Sequence, residues 1–243
     1  SATLSSYTPV SSQYYKVITT DGTTSCTKES TVSDVTVDAM PSTVFTLTDA
    51  TICEGSSATI TVSSSESGYS YQLRDDADDS SVGSPVTGTG SDITFSVTPS
   101  STTTYNVLVT NGVCIEELSD QSTVSVDPTS VGGTLDDGSG NASVTVSTST
   151  NSTTISLTGE TGDVVRWESA SDNAFTTPTT ISNTTTSYTA SNISNTTYYR
   201  AVVQSGSCSE DYSSTFTLNA GIDNTPPTAP TNVVASGTTV TGT

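Results

Sequence analysis

Few residue types in this chain could do chemistry, and their spacing narrows the options. Four cysteines stand at positions 26, 53, 114 and 208, and histidine is absent. The lack of histidine removes the commonest general base and metal ligand. A thiolate zinc site needs clustered cysteines, and these are scattered singly among turn residues. Scattered cysteines fit disulfides formed in an oxidising compartment.

Acidic side chains are the other candidates. Asp75-Asp76-Ala77-Asp78-Asp79 is the densest acidic run, followed by Asp136-Asp137-Gly138-Ser139-Gly140. Calcium takes six to eight oxygen ligands from carboxylates and carbonyls. Asp75, Asp76, Asp78, Asp79, Asp136 and Asp137 are therefore weak calcium candidates, beside the plainer reading of solvated loops. Asp38 and Asp127 close predicted domains and could contribute to ions at linkers. No other cofactor is expected. Glu66, Glu116, Glu117, Glu160 and Glu168 could in principle form a glycosidase-type carboxylate pair, but scattered glutamates are ordinarily surface residues, and no catalytic residue is expected. Arg74 and Arg166 are expected to cover strand faces rather than clamp a ligand. Tyr14 and Tyr198 could stack on sugars or form cross-strand pairs on a sheet surface. Asn141, Asn151, Asn183, Asn192 and Asn195 each open an Asn-x-Ser/Thr sequon, which matters only in a eukaryotic-type secretory route.

Composition sets the wider limits. The 243 residues carry 5 basic and 25 acidic side chains, a net charge of −20. Such a chain is repelled by phosphate backbones and anionic lipid surfaces, so no nucleic-acid partner is expected. No apolar run approaches membrane-spanning length, and this composition without a signal peptide predicts a mature or excised segment, not a cytoplasmic protein. Hydrophobic residues are only 31%. Ser and Thr replace them, and Thr is a good strand former. A short strand needs apolar residues only at alternate positions.

The elements that would hold these residues repeat. Tyr15, Tyr105 and Tyr199 recur at spacings of 90 and 94 residues, and Cys26, Cys114 and Cys208 at 88 and 94. Each tyrosine opens an alternating strand that ends in a glycine turn and a cysteine. Tyr7-Thr8-Pro9 precedes the first strand as Val97-Thr98-Pro99 precedes the second. A period near 90 residues with frequent turn signals predicts a row of β-sandwiches. In the middle repeat the pattern predicts strands at Val44–Leu47, Ala58–Val62, Tyr69–Arg74, Asp92–Val97, Thr104–Thr110 and Ser122–Val126. In the third it predicts Thr153–Leu157, Asp163–Ser169, Ser187–Ser191, Tyr198–Val203 and Ser214–Leu218. Trp167, the single tryptophan, falls where a sandwich places its central aromatic.

The expected class is all-β, with tandem immunoglobulin-like sandwiches in an extended array. The expected domains are the C-terminal part of a sandwich at 1–39, complete sandwiches at 40–127 and 128–220, and a Pro-rich linker with a first strand at 221–243. The partial ends predict that the chain continues in both directions or is completed by another chain.

Ile52-Cys53-Glu54-Gly55, Thr102-Thr103-Thr104-Tyr105 and Asn111-Gly112-Val113-Cys114 resemble the Ig-like repeats of giant Bacteroidetes surface proteins. Val164-Val165-Arg166-Trp167-Glu168-Ser169 and Tyr199-Arg200-Ala201-Val202-Val203-Gln204-Ser205-Gly206 resemble repeats of SprB-like gliding-motility adhesins. Ala229-Pro230-Thr231-Asn232 is similar to the opening of a fibronectin type III domain. The resemblance implies type IX export, attachment at the outer surface, and contact with substrata or polysaccharide through other parts of the chain. The family usually carries a cysteine where this chain has Ser147, which leaves Cys208 without the partner the family implies.

Cys53 and Cys114 fall in one predicted domain, one before its second strand and one after its tyrosine strand. They are expected to form a disulfide. Cys26 is expected to pair upstream of this sequence, and Cys208 to be free or paired outside its domain. The expected function is a structural stalk segment of a secreted surface adhesin, without enzyme activity, inserted in no membrane and open to lateral or end-to-end association. The rivals are a carbohydrate-binding or spacer module of a secreted polysaccharide-degrading enzyme, and a filament subunit completed by strand addition.

Overall fold

The structure is a computed structural model and describes residues 8–20, 23–147 and 151–221. Of the expected linker and fibronectin-like strand at 221–243, all but Gly221 lies outside the described residues. The chain divides into two compact units, one of residues 1–129 with 206–208, the other of 130–205 with 209–243.

Among the described residues, the first unit opens with four short strands, β1 (Gln13–Tyr15), β2 (Ile18–Thr20), β3 (Thr27–Glu29) and β4 (Ser33–Val35). β1 pairs antiparallel with β4, and β2 with β3. A sandwich follows, built from β5 (Ala50–Cys53), β6 (Ala58–Val62), β7 (Ser70–Asp75), β8 (Val86–Thr87), β9 (Ile93–Val97), β10 (Thr103–Thr110), β11 (Ile115–Glu117) and β12 (Ser122–Asp127). One sheet runs β5-β12-β10-β7-β8 with β11 on β10, and β6 pairs with β9 in the other. Alternation selects the inward side chains. Ala58, Ile60 and Val62 of β6 meet Ile93, Phe95 and Val97 of β9, and Tyr71, Leu73, Tyr105, Val107, Val109 and Val124 supply the opposite face. A one-residue slip in any of these strands would turn its apolar set outward, so burial fixes register.

The second unit repeats the plan with β13 (Thr134–Asp136), β14 (Ser143–Val146), β15 (Ser152–Thr158), β16 (Asp163–Ala170), β17 (Thr179–Ile181), β18 (Ser187–Ser191), β19 (Thr197–Gln204), β20 (Asp211–Tyr212) and β21 (Phe216–Ala220). Its sheets are β13-β15-β18, and β14-β21-β19-β16-β17 with β20 on β19. Trp167 is fully buried among Ile155, Leu157, Tyr199, Phe216 and Leu218, and its indole N–H donates to Thr185 O at 2.9 Å. Tyr188 stands beside both Trp167 and Tyr199, with ring centroids 5.7 and 5.8 Å away.

Among the described residues each sandwich contains one parallel pairing, β5 with β12 and β14 with β21. The sequence pattern does not predict β5 or β14. In place of the strand expected at Val44–Leu47 there is a single bridge from Leu47 to Val62, and Val44 is exposed.

Candidate functional site

The position of Cys53 follows from the parallel pairing. It is the last residue of β5, and its register partner is Asp127, the last residue of β12. The backbone continues that ladder, with Glu54 N–H donating to Asp127 O at 2.9 Å. Residues 206–208, in the turn between β19 and β20, group with this first unit. Ser207 donates to the Asp127 carboxylate through its N–H at 2.8 Å and its hydroxyl at 2.9 Å. These two bonds hold the Asp127 carboxyl below its ordinary value. Gly206 takes φ +45°, and a Cβ there would collide with the same carboxylate. Asp127 and the absence of a side chain at 206 therefore set the neighbouring sulfur. Cys208 Sγ lies 3.7 Å from Asp127 O and 3.2 Å from Pro128 O, and it is bonded to Cys53 with Cα atoms 4.7 Å apart.

This overturns the expected Cys53–Cys114 disulfide. β10 runs antiparallel to β12, and its start, Thr103, pairs with Val124 near the end of β12 that holds Cys53. Cys114 sits beyond the other end of β10, in the turn to β11. At about 3.4 Å per residue, β10 alone spans about 24 Å, whereas a disulfide needs Cα atoms within about 7 Å. The separation along the sequence did not reveal that distance. Cys114 and Cys26 are free thiols. Of the two states expected for Cys208, free or paired outside its own domain, the structure shows the second. Ser147 follows β14 as Cys53 ends β5, and Cys208 bonds Cys53 instead. Cys114 nevertheless repeats the setting of Cys208. Its Sγ lies 4.0 Å from the carbonyl oxygen of Asp38, which closes the first repeat as Asp127 closes the second.

The acidic runs serve their own loops. Asp75 accepts from Ala77 N–H at 3.0 Å and Asp78 from Ser80 N–H at 2.9 Å. Asp76 accepts from Gln121 and from buried Asn106, and Asp79 also accepts from Asn106. An open groove of about 330 Å³ lies between Asp75–Ala77 and Thr102–Thr104. Asp136 takes Gly138 N–H at 2.7 Å, and Asp137 takes Ser139 N–H and the Asn141 amide, each at 2.9 Å. The Asn141 side chain and these N–H groups hold the Asp137 carboxyl below its ordinary value. Among the described residues no group of three or more His, Cys, Asp or Glu is placed to hold a metal ion.

The five candidate glutamates are spread over four places: Glu66 ahead of β7, Glu116 and Glu117 on β11, Glu160 between β15 and β16, Glu168 within β16. Glu66 accepts from Ser42 N–H at 3.2 Å, and Glu117 is paired with Arg74. Glu168 is buried and holds Arg166 at 2.8 Å and Arg200 at 2.7 Å. Arg166 also reaches Glu210 at 2.7 Å. That bond keeps the Glu210 carboxyl below its ordinary value, while the two carboxylates push the Arg166 guanidinium further up. The Arg200 guanidinium stacks against two rings, 4.2 Å from the centre of Phe175 and 3.9 Å from that of Tyr212. Arg74 and Asn106 are direct register partners on β7 and β10, as Glu168 and Arg200 are on β16 and β19. Each sandwich thus carries a polar cross-strand pair on the sheet face opposite its core. Sequence reasoning placed Arg74 and Arg166 on strand faces but missed Arg200 and Asn106; the shared position within the tyrosine strands is the signal that could have found them. Tyr14 is exposed, and Tyr198 is half-buried between its partners Ala170 and Thr217.

Two sandwiches of this topology in succession define a tandem immunoglobulin-like β-sandwich protein. Residues 39–128 match the family described as an Ig-like domain, CHU_C associated, the kind of repeat that the motifs around Cys53 and Cys114 resemble. Residues 136–220 match a domain of unknown function, DUF8696. No curated protein matches the sequence. Among solved structures, an I-band fragment of titin aligns with a TM-score of 0.53 at 12% identity, covering 76% of this chain and 66% of that one. A three-Ig structure of titin domains in an E-to-A mutated variant aligns with a TM-score of 0.50 at 11% identity, covering 72% and 64%. The chain therefore spans slightly less than two thirds of either titin structure, and the likeness is one of fold.

Proposed function

We propose that this chain is a stalk segment of a secreted cell-surface adhesin, one that holds a distal binding region away from the cell and carries tension in adhesion or gliding. The observation that carries the reading is the succession of two sandwiches with one topology, each with its own core. The Cys53–Cys208 bond supports an oxidising, extracellular setting. The CHU_C-associated description and the resemblance to gliding-motility adhesins support a bacterial surface protein exported by the type IX route. Ligand contact with a surface or polysaccharide then belongs to other parts of the parent protein, and no part of this segment enters a membrane.

Deletion of residues 40–220 from the parent protein tests the reading. Ligand binding at rest should persist, while attachment under shear flow should weaken. Loss of binding at rest, or sugar binding by the isolated segment on a glycan array, would overturn it in favour of a carbohydrate-binding module.

A further inference from the structure

The bond between Cys53 and Cys208 joins residues 155 apart in sequence. It closes a covalent ring that contains every strand from β6 to β19. Strands β1–β5 precede the ring, and β20 and β21 follow it. The ring holds nearly all of both cores: Ala58 to Val124 of the first, and Leu135 to Val203 of the second. Only Leu47 and Ile52 of the first buried core, and Phe216 and Leu218 of the second, lie outside it.

A force applied to the two ends of a chain follows the covalent path between them. Here that path runs through residues 1–53, crosses the two sulfur atoms, and leaves through residues 208–243. Residues 54–207 are a closed side loop. We infer that the Cys53–Cys208 bond is a mechanical shunt, which routes tension past the strands β6–β19 and withholds the residues between the two cysteines from extension. Folded domains are held by only about 5–15 kcal/mol of net non-covalent stability, far less than a covalent bond. Without the shunt, the strands β6–β19 would stand in series with the load. With it, they are out of the load path, and pairings wholly inside the ring, such as β7 with β10 and β16 with β19, need not resist extension, whereas β5, β20 and β21 can still be peeled from their partners. The physiological meaning of the shunt rests on the stalk reading above, but its test does not.

The chain is held by its first and last residues in an optical trap and stretched without reductant. Residues 1–53 and 208–243 alone can extend, which at about 3.5 Å per residue gives about 300 Å of contour. A water-soluble phosphine is then added. It reduces the disulfide with one water molecule, giving two thiols and the phosphine oxide. The contour should grow by a further ~540 Å, in unfolding steps absent before. Cys208→Ser should show the full length without reductant, and Cys114→Ser should behave as the native chain does. If Cys208→Ser fails to fold, the reductant comparison on the native sequence still decides. Full extension of the unreduced native chain would overturn the shunt. Failure of the stalk reading would appear in the shear assay and leave the tether lengths unchanged, so the two outcomes are separable.

Discussion

At the residue scale, three small features fix one sulfur. Asp127 accepts two bonds from Ser207, Gly206 leaves room for that carboxylate, and Cys208 is delivered to Cys53. Thiol labelling followed by peptide mapping should modify Cys26 and Cys114 in the unreduced protein and recover Cys53 joined to Cys208. A Cys53–Cys114 peptide would contradict the fold. Gly206→Ala should cost about 1–3 kcal/mol through strain at positive φ and the clash with Asp127, seen as a lower urea midpoint. The carboxyls of Asp127, Asp137 and Glu210 titrate below their ordinary values of 3.8, 3.8 and 4.5. Their contribution is complete above those values and is lost as pH falls through the lowered ones. The melting temperature should therefore drop on acidification below about pH 4, and Asp127→Asn should remove part of that drop. Tyrosine behaves in the opposite sense. Burial pushes Tyr199 up to about 12 from 10.0, so its contribution is complete below pH 10 and disappears as pH rises towards 12. Absorbance titration at alkaline pH should show a tyrosine class that ionises only with unfolding.

At the element scale, the paired strands β7/β10 and β16/β19 each carry a polar pair on the face turned away from the core. Glu168 is buried beneath two arginines, and Arg200 lies against Phe175 and Tyr212. Arg200→Ala should cost about 1–3 kcal/mol, because it strips a charge-assisted partner from a buried carboxylate that still keeps Arg166. Arg200→Lys should recover only part of this in chemical denaturation, since an ammonium lacks the planar fork that stacks and pairs at once. The long alternating strands were legible in the sequence, and β6, β10, β16 and β19 fall within a residue or two of expectation. Ala58, Ile60 and Val62 announce a half-buried strand by period alone. Ala50-Thr51-Ile52-Cys53 does not. Four residues held by a parallel partner some 74 positions away in sequence leave no local period to read. That missed strand is why the disulfide was misassigned: without β5 lying along β12, nothing shows which end of the sandwich holds Cys53.

At the scale of the whole molecule, the two cores are separate sets of residues, and the single tryptophan belongs to the second. Trp167 fluorescence should be blue-shifted in the native chain and should report unfolding of the second sandwich alone, while circular dichroism reports both. Trp167→Ala should cost about 3–5 kcal/mol in that sandwich and leave the transition of the first in place. Beyond stability, the positions of the cysteines along the chain impose an order in time. A chain made and exported from its N-terminus presents Cys53 and Cys114 long before Cys208. While unfolded, it has nothing except loop entropy to keep those two apart. The first sandwich is complete at Asp127, with 80 residues still to follow before Cys208. If it folds as it emerges, Cys114 is carried to the far end of β10 and Cys53 is left waiting beside Asp127. Early folding would then act as a proofreader of oxidation, because the wrong thiol has been moved out of reach before the right one arrives.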